Sequence, residues 1–116
     1  MNDFPEFMKH PANKIDSESQ YTQGIEGYVF DGADGSQLAF WTNQAGGKSI
    51  EHTHGYDEYV VVVQGQYTVI IGEMEFPLTA GKEFFIPKET RHRGNSSPGT
   101  RTIHAFGGKR VDRIKK

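Results

Sequence analysis

The sequence predicts an all-β domain, a sandwich or barrel of short strands. Three observations lead to this fold class. Fourteen glycines and five prolines occur in 116 residues, a density that is typical of many strands joined by tight turns. Apolar and β-branched runs of strand length recur at intervals of roughly 8–12 residues. No stretch long enough for a helix shows an apolar stripe at helical period.

The strand-length runs follow one another along the chain, and each ends at a turn signal. They cover residues 28–30, 38–42, 49–53, 58–63, 67–71, 74–78, 83–86 and 102–106. The turns after them contain Gly, Asp or Pro, which end strands because of their backbone conformations or the missing N–H. We expect much of the core to come from the aromatic residues Phe40, Trp41, Phe76, Phe84, Phe85 and Phe106. The barrel domain is expected over residues 21–108.

The two ends of the chain differ from this region. Residues 1–20 are polar, mildly acidic and without clear periodicity, so we expect an N-terminal arm that packs on the domain or trails from it. Residues 109–116 carry five Lys or Arg against one Asp. This pattern predicts a solvated basic C-terminal tail.

Composition and charge exclude several classes of partner and cofactor. Thirteen Lys and Arg against 15 Asp and Glu give a net charge of −2, which argues against nucleic acid or an anionic membrane held by bulk charge. The longest apolar run, residues 59–63, is far shorter than the ~20 residues of a membrane span. Cysteine is absent, which rules out disulfides, thiolate metal sites and thiol nucleophiles. Because the first residues do not resemble a signal peptide, we expect a cytoplasmic protein.

The apolar pattern of one strand predicts that both of its faces are buried. Residues 59–63 are all apolar, whereas a strand with one solvated face would alternate. If Glu58 points into the barrel, alternation also sends Val60 and Val62 inward and leaves Val61 outward. A chain this short has few further residues to bury the outer face of this strand. We therefore expect a second copy of the chain to cover it in a homodimer.

Four residues have the types and spacing of a metal site. His52 and His54 are two apart in a β-type segment, so both rings leave the same face about 6–7 Å apart. Glu58 follows after a short turn, and His92 lies beyond Pro87 on another turn-bounded segment. Three imidazole nitrogens and one carboxylate oxygen suit iron, manganese, nickel, cobalt, copper or zinc. Calcium and magnesium would require more oxygen ligands.

The sequence around these residues resembles the cupin family. The first cupin motif reads G, five residues, HxH, three or four residues, E, six residues, G, and it is met by Gly46, His52, His54, Glu58 and Gly65. The second reads G, five residues, P, one residue, G, two residues, H, three residues, N, and it is met at Gly81, Pro87 and His92. Glu89 stands where the motif has Gly, and Ser96 where it has Asn. We expect Glu89 to take an ordinary backbone conformation, without the freedom of Gly.

The resemblance implies a small single-domain cupin with a jelly-roll barrel, also called a double-stranded β-helix. It places His52, His54, Glu58 and His92 in the barrel interior as ligands of a divalent transition metal. Similar cupins are dioxygenases, isomerases, decarboxylases or lyases that act on small oxygen-rich molecules. We therefore expect a metal-dependent enzyme, dioxygenase-like or an isomerase, with a small-molecule substrate. The alternative is a non-catalytic module that binds a sugar or another small molecule.

Other residues near this site have several interpretations. His104 lies in the last apolar run, where it is a group that orients a ligand, a substrate contact or a structural histidine. Acidic or anion-binding groups near the mouth would come from Tyr28, Tyr56, Tyr67 or Arg91, and the spacing does not select among them. Alternation followed back from His52 places Ile50 inside the barrel, so we expect aliphatic side chains to flank the metal. Such a wall favours chelating small acids, diketones or enolisable carbonyl compounds as substrates.

Overall fold

The computed structural model describes residues 2–19 and 24–114, and within them nine strands form two antiparallel sheets. The strands β1 to β9 are Ile25–Asp31, Gln37–Asn43, Gly47–Lys48, Glu58–Gln64, Gln66–Ile71, Met74–Thr79, Glu83–Ile86, Arg93–Ser96 and Thr100–Phe106. One sheet has the order β1-β2-β9-β4-β7, and the other has the order β3-β8-β5-β6. The predicted all-β class is confirmed. Three single-turn 3-10 helices precede β1, at Glu6–Met8, Pro11–Asn13 and Ser17–Ser19. In the described ranges, no helix has the length and apolar character needed to span a membrane.

Most of the predicted runs are strands, but one is not. Residues 49–53 form no strand beyond the short β3 before them, and His52 only makes an isolated bridge with His92. Strict alternation therefore does not apply to this segment, because it has no continuous ladder of hydrogen bonds. The prediction that Ile50 points inward is wrong, since Ile50 is 69% exposed. Strand β8 was not predicted, and it joins the four-stranded sheet by pairing with β5 and β3.

The strand β4 shows the predicted alternation. Glu58, Val60 and Val62 are buried with at most 4% exposure, whereas Tyr59 is 37% exposed and Val61 is half-buried. The inward valines pack against β5, β6 and β7 in a cluster that contains Val60, Val62, Val69, Leu78 and Ile86. This cluster holds the two sheets together.

The aromatic core residues follow the prediction with one exception. Phe40 and Phe106 are buried, and Trp41, Phe76 and Phe84 are half-buried. Phe85 is 56% exposed, because the neighbouring Ile86 takes the inward position on β7 and successive strand residues face opposite sides. The expectation that Phe85 belongs to the core is wrong.

The described part of the N-terminal arm packs on its own domain. Phe4 is buried against Phe40, with ring centroids 4.6 Å apart. Ile15 is 3% exposed, and its backbone N–H donates to the carbonyl of Gly27 at 2.9 Å. The arm therefore covers part of the five-stranded sheet.

Part of the predicted solvated tail packs as well, although Lys109, Asp112 and Ile114 are exposed. Residues 115 and 116 lie outside the described part of the chain. Val111 is fully buried and belongs to a second apolar cluster with Ile15, Val29, Ala39 and Phe106. The side chain of Gln37 accepts hydrogen bonds from the N–H groups of Arg110 and Val111, both at 2.8 Å. Arg113 donates to Asp31 at 2.8 Å. A single apolar side chain and a buried amide thus dock a segment whose composition is mostly basic.

In the turn before His92, the backbone of Glu89 has a conformation that differs from the expected one. Glu89 has a φ of 64°, at the third position of a turn closed by the Thr90 N–H and the Pro87 carbonyl at 3.3 Å. A turn of this geometry requires positive φ there. The N–H of Glu89 also donates to the carbonyl of His54 at 2.8 Å. The expectation of an ordinary conformation for Glu89 is wrong.

Replacing Glu89 by Gly should therefore stabilise the protein. A left-handed conformation costs a non-glycine residue about 1–2 kcal/mol, and part of this is offset by the greater freedom of Gly in the unfolded chain. We expect the free energy of unfolding to rise by roughly 0.5–1 kcal/mol in urea titrations. Lys88→Gly, one residue earlier and without positive φ, is the control and should destabilise. Equal destabilisation by both variants would contradict the strain at Glu89.

Candidate metal centre

Three of the four predicted ligands meet at one point. His52, His54 and His92 each offer a ring nitrogen, and these nitrogens all lie within 4.8 Å of one another. The backbone brings them together, because His52 and His92 each donate an N–H to the carbonyl of the other at 2.9 Å. The bond from Glu89 to the carbonyl of His54 ties the same turn to the His54 segment. Local backbone pairing thus sets the spacing of the three rings.

Hydrogen bonds at the far side of two rings fix their orientation. Nδ1 of His52 lies 2.6 Å from the carbonyl of Ile50, and Nδ1 of His92 lies 2.8 Å from the carbonyl of Thr90. A carbonyl oxygen only accepts, so Nδ1 donates in both rings and Nε2 is the nitrogen that faces the cluster. This is the arrangement that histidine ligands of metals adopt in proteins.

Glu58 lies directly beside this cluster, at the start of β4. Its Oε1 is 3.2 Å from Nε2 of His54 and 3.5 Å from Nε2 of His92, and its Oε2 is 3.0 Å from Nδ1 of His104. Burial would raise the pKa of Glu58, but the hydrogen bonds with the three histidines hold it well below its usual value. The buried carboxylate of Glu58 is therefore ionised beside the three histidine rings, where it can bind a cation.

The electrostatics of two rings differ because of their neighbours. Burial, helped by the nearby His92, His54 and Arg110, lowers the pKa of His52 to about 4. Burial also opposes the charged form of His92, but its hydrogen bonds with Glu58 and the Thr90 carbonyl and the charge of Glu58 together outweigh this and raise the pKa of His92. His52 is consequently neutral at physiological pH, as a metal ligand must be.

A small cavity opens onto the site. Its apolar wall is made by Trp41, Tyr67 and Phe106, and Arg110 lies at the same opening. The guanidinium carbon of Arg110 is 5.8 Å from the Phe106 ring centroid. Burial raises the pKa of Tyr67, so its phenol stays neutral. The predicted aliphatic wall is wrong, since Ile50 faces solvent and Val60 and Val62 belong to the core.

The other candidate residues are divided between this cavity and the surface. Tyr56 stacks on His54, with centroids 4.9 Å apart, and Tyr67 lines the cavity. Tyr28 packs on Phe40 at 5.7 Å, on the opposite face of the five-stranded sheet. Arg91 is exposed and pairs with Glu51 at 3.3 Å. The tyrosine and arginine candidates are therefore reduced to Tyr56 and Tyr67.

Sequence reasoning missed Arg110 in this cavity and the stacking of Trp41 on His104. Arg110 lies in the segment predicted to be solvated, and its position depends on the contact of Val111 with Gln37, 74 residues away. Trp41 stacks on His104, with centroids 4.3 Å apart and an interplanar angle of 25°. The alternation of β2 carries a signal for Trp41, because Ala39 and Trp41 share one strand face.

Comparisons with known proteins agree with this architecture. A family model described as a cupin domain matches residues 39–106. No curated protein matches the chain. Among solved structures, an RmlC-like cupin from Shewanella frigidimarina has 21% identity and a TM-score of 0.72, with 95% of this chain and 96% of that chain covered.

Two further structures show the same fold in different proteins. KdgF from a Halomonas species has 22% identity and a TM-score of 0.67, and the match covers 87% of this chain and 96% of that chain. An HTH_3 family transcriptional regulator from Vibrio cholerae has 16% identity and a TM-score of 0.61, and the match covers 81% of this chain and 58% of the regulator. At these identities the similarity concerns the fold, and function has to be argued from the site.

Proposed function

The chain belongs to the cupin family, and from this premise we propose that it is a metal-dependent enzyme acting on a small oxygen-rich molecule. The observation that carries the proposal is the convergence of His52, His54 and His92 beside the ionised Glu58. Three imidazoles and one carboxylate suit a divalent iron, manganese, nickel, cobalt, copper or zinc ion. Bound there, the ion would supply Lewis-acid or redox chemistry of the dioxygenase or isomerase type.

The cavity supports a substrate that combines a chelating polar end with a compact apolar body. Its aromatic wall of Trp41 and Phe106 binds apolar surface. Arg110 offers a planar cation for a carboxylate. The neutral phenol of Tyr67 donates a hydrogen bond to an oxygen of the substrate. Small chelating acids, diketones and enolisable carbonyl compounds meet these requirements.

A metal-resolved activity screen tests this function. The protein is freed of metal, reloaded with one divalent ion at a time, and assayed with diketones, sugars and organic acids under oxygen. We expect one ion per chain and turnover of at least one acid or carbonyl substrate. We expect Arg110→Met to weaken the binding of acid substrates more than the binding of uncharged ones. Ligand binding without turnover by any loaded form would favour the non-catalytic alternative.

We also propose that the protein is a homodimer, formed through the outer face of the five-stranded sheet. Cross-strand neighbours form one apolar row over all five strands, in the order Phe30, Leu38, Ala105, Tyr59 and Phe85. Phe30, Leu38, Tyr59 and Phe85 are between 37% and 56% exposed. A contiguous patch of this kind marks an interaction surface. A second copy related by a two-fold axis presents the same row and covers it.

Replacing Val61 by Asp should separate this dimer. Val61 lies next to the apolar row on the outer face and is half-buried, so an aspartate there is charged and faces the partner. We expect sedimentation of the variant as a folded monomer at tens of micromolar protein, where the wild type sediments as a dimer. Thr79→Asp, an exposed position on β6 of the other sheet, should leave the dimer intact. A monomeric wild type at the same concentration would refute the interface.

A further inference from the structure

We propose that His104 is a positioning residue that holds Glu58 in the orientation required by the metal site, and that Thr102 fixes the tautomer of His104. This inference rests on the proposed metal-binding function. It concerns two residues that lie behind the ligand cluster and that no cupin motif in this sequence includes.

The two oxygens of Glu58 have separate partners. Oε2 lies 3.0 Å from Nδ1 of His104, and Oε1 lies 3.2 Å from Nε2 of His54 and 3.5 Å from Nε2 of His92. Glu58 is 4% exposed and His104 is 2% exposed, so water does not compete for this contact. The bond to His104 therefore directs the other oxygen toward the histidine cluster.

The protonation pattern of His104 follows from its two partners. An ionised carboxylate only accepts hydrogen bonds, so Nδ1 of His104 donates to Glu58. Nε2 lies 2.9 Å from Oγ1 of Thr102, and in the neutral ring it accepts the hydrogen bond that the Thr102 hydroxyl donates. Both ring nitrogens are thus engaged, which distinguishes His104 from His52 and His92, where Nε2 faces the cluster. His104 serves the site through Glu58 and not as a ligand.

Aromatic packing fixes the plane of the His104 ring. Trp41 stacks on one side at 4.3 Å, and the Phe106 ring lies at 5.7 Å with an interplanar angle of 8°. Tyr67 approaches by its edge at 5.9 Å. Thr102 is two residues before His104 on β9, so both side chains leave the same face of the strand. The ring cannot turn away from Glu58 without displacing these neighbours.

The expected consequence is a carboxylate that is already aligned before an ion arrives. Without the donor on His104, Oε2 of Glu58 would be buried and unsatisfied, and the side chain would turn to another partner. Loss of such an outer contact typically costs about 10–100-fold in metal affinity.

Titration of Co²⁺ into metal-free protein tests this role, with calorimetry for affinity and visible absorption for the ligand set. His104→Leu removes the donor, whereas His104→Asn keeps an amide N–H near the position of Nδ1. We expect the Leu variant to bind Co²⁺ about 10–100-fold more weakly with a changed absorption spectrum, and the Asn variant to recover most of the affinity. Thr102→Val should weaken binding about tenfold, because it removes the hydroxyl that fixes the tautomer.

Thr68→Val is the matched control, since Thr68 is buried on β5 and its neighbour Tyr67 takes the cavity-facing position. This variant should bind Co²⁺ as the wild type does. A folded His104→Leu variant with wild-type affinity and spectrum would overturn the positioning role while leaving the metal-binding function intact. If that variant does not fold, unchanged affinity in Thr102→Val overturns the role in the same way. Absence of Co²⁺ binding by the wild type would overturn the proposed function and this inference together.

Discussion

Replacing His52 and His54 together by Ala should abolish stoichiometric binding of divalent transition metals while leaving both sheets intact. The double variant removes two of the three nitrogens that meet within 4.8 Å, and the two ligands left, Glu58 and His92, are too few to hold such an ion tightly. The fold should survive because neither residue belongs to the two apolar clusters.

Metal content after dialysis, measured by mass spectrometry, and far-ultraviolet circular dichroism check this result. His10→Ala is the matched control, because His10 is exposed and its side chain caps a 3-10 turn away from the cluster's three histidines. Full retention of metal by the double variant would show that the ion is held elsewhere.

The substitution Val60→Asp is expected to prevent folding or to lower the free energy of unfolding by more than about 4 kcal/mol. Val60 is fully buried and packs in the cluster with Val62, Val69, Leu78 and Ile86. A carboxylate there loses its water and lies against the apolar side chains of that cluster, so burying it is costly.

Denaturant titration compares the free energies of unfolding of Val60→Asp and Val61→Asp. Val61→Asp carries the same chemical change one residue later, on the outward face of β4, and should lose much less stability. The reverse order of stabilities would overturn the register of β4 and the assignment of its two faces.

The strand register was predictable where the ladder is regular. Inward positions for Val60 and Val62 followed from Glu58 because β4 pairs continuously with β9 over these residues. The same rule failed at Ile50, where a single bridge replaces a ladder. Strand β8 has polar residues with low strand propensity, such as Asn95, and it is a strand because of its pairing with β5.

The clustering of the candidate ligands was predictable, but the cavity wall was not. The spacing of His52, His54 and Glu58 reflects one turn of the chain, so three of the four predicted ligands share a sequence signature. The cavity wall depends on contacts between distant residues, such as the docking of the Arg110 segment on Gln37. Side-chain contacts between residues far apart in the sequence leave no periodic pattern in it. The hydrogen bond between His104 and Glu58 is another contact of this kind.

Anomalous diffraction from crystals of the protein loaded with manganese, cobalt, nickel or zinc tests the central claim most directly. Data collected on both sides of the absorption edge of the chosen metal locate that element alone. The account predicts one strong peak per chain, bounded by ring nitrogens of His52, His54 and His92 and by Oε1 of Glu58. No peak at that position, or a peak held by other residues, would contradict the account.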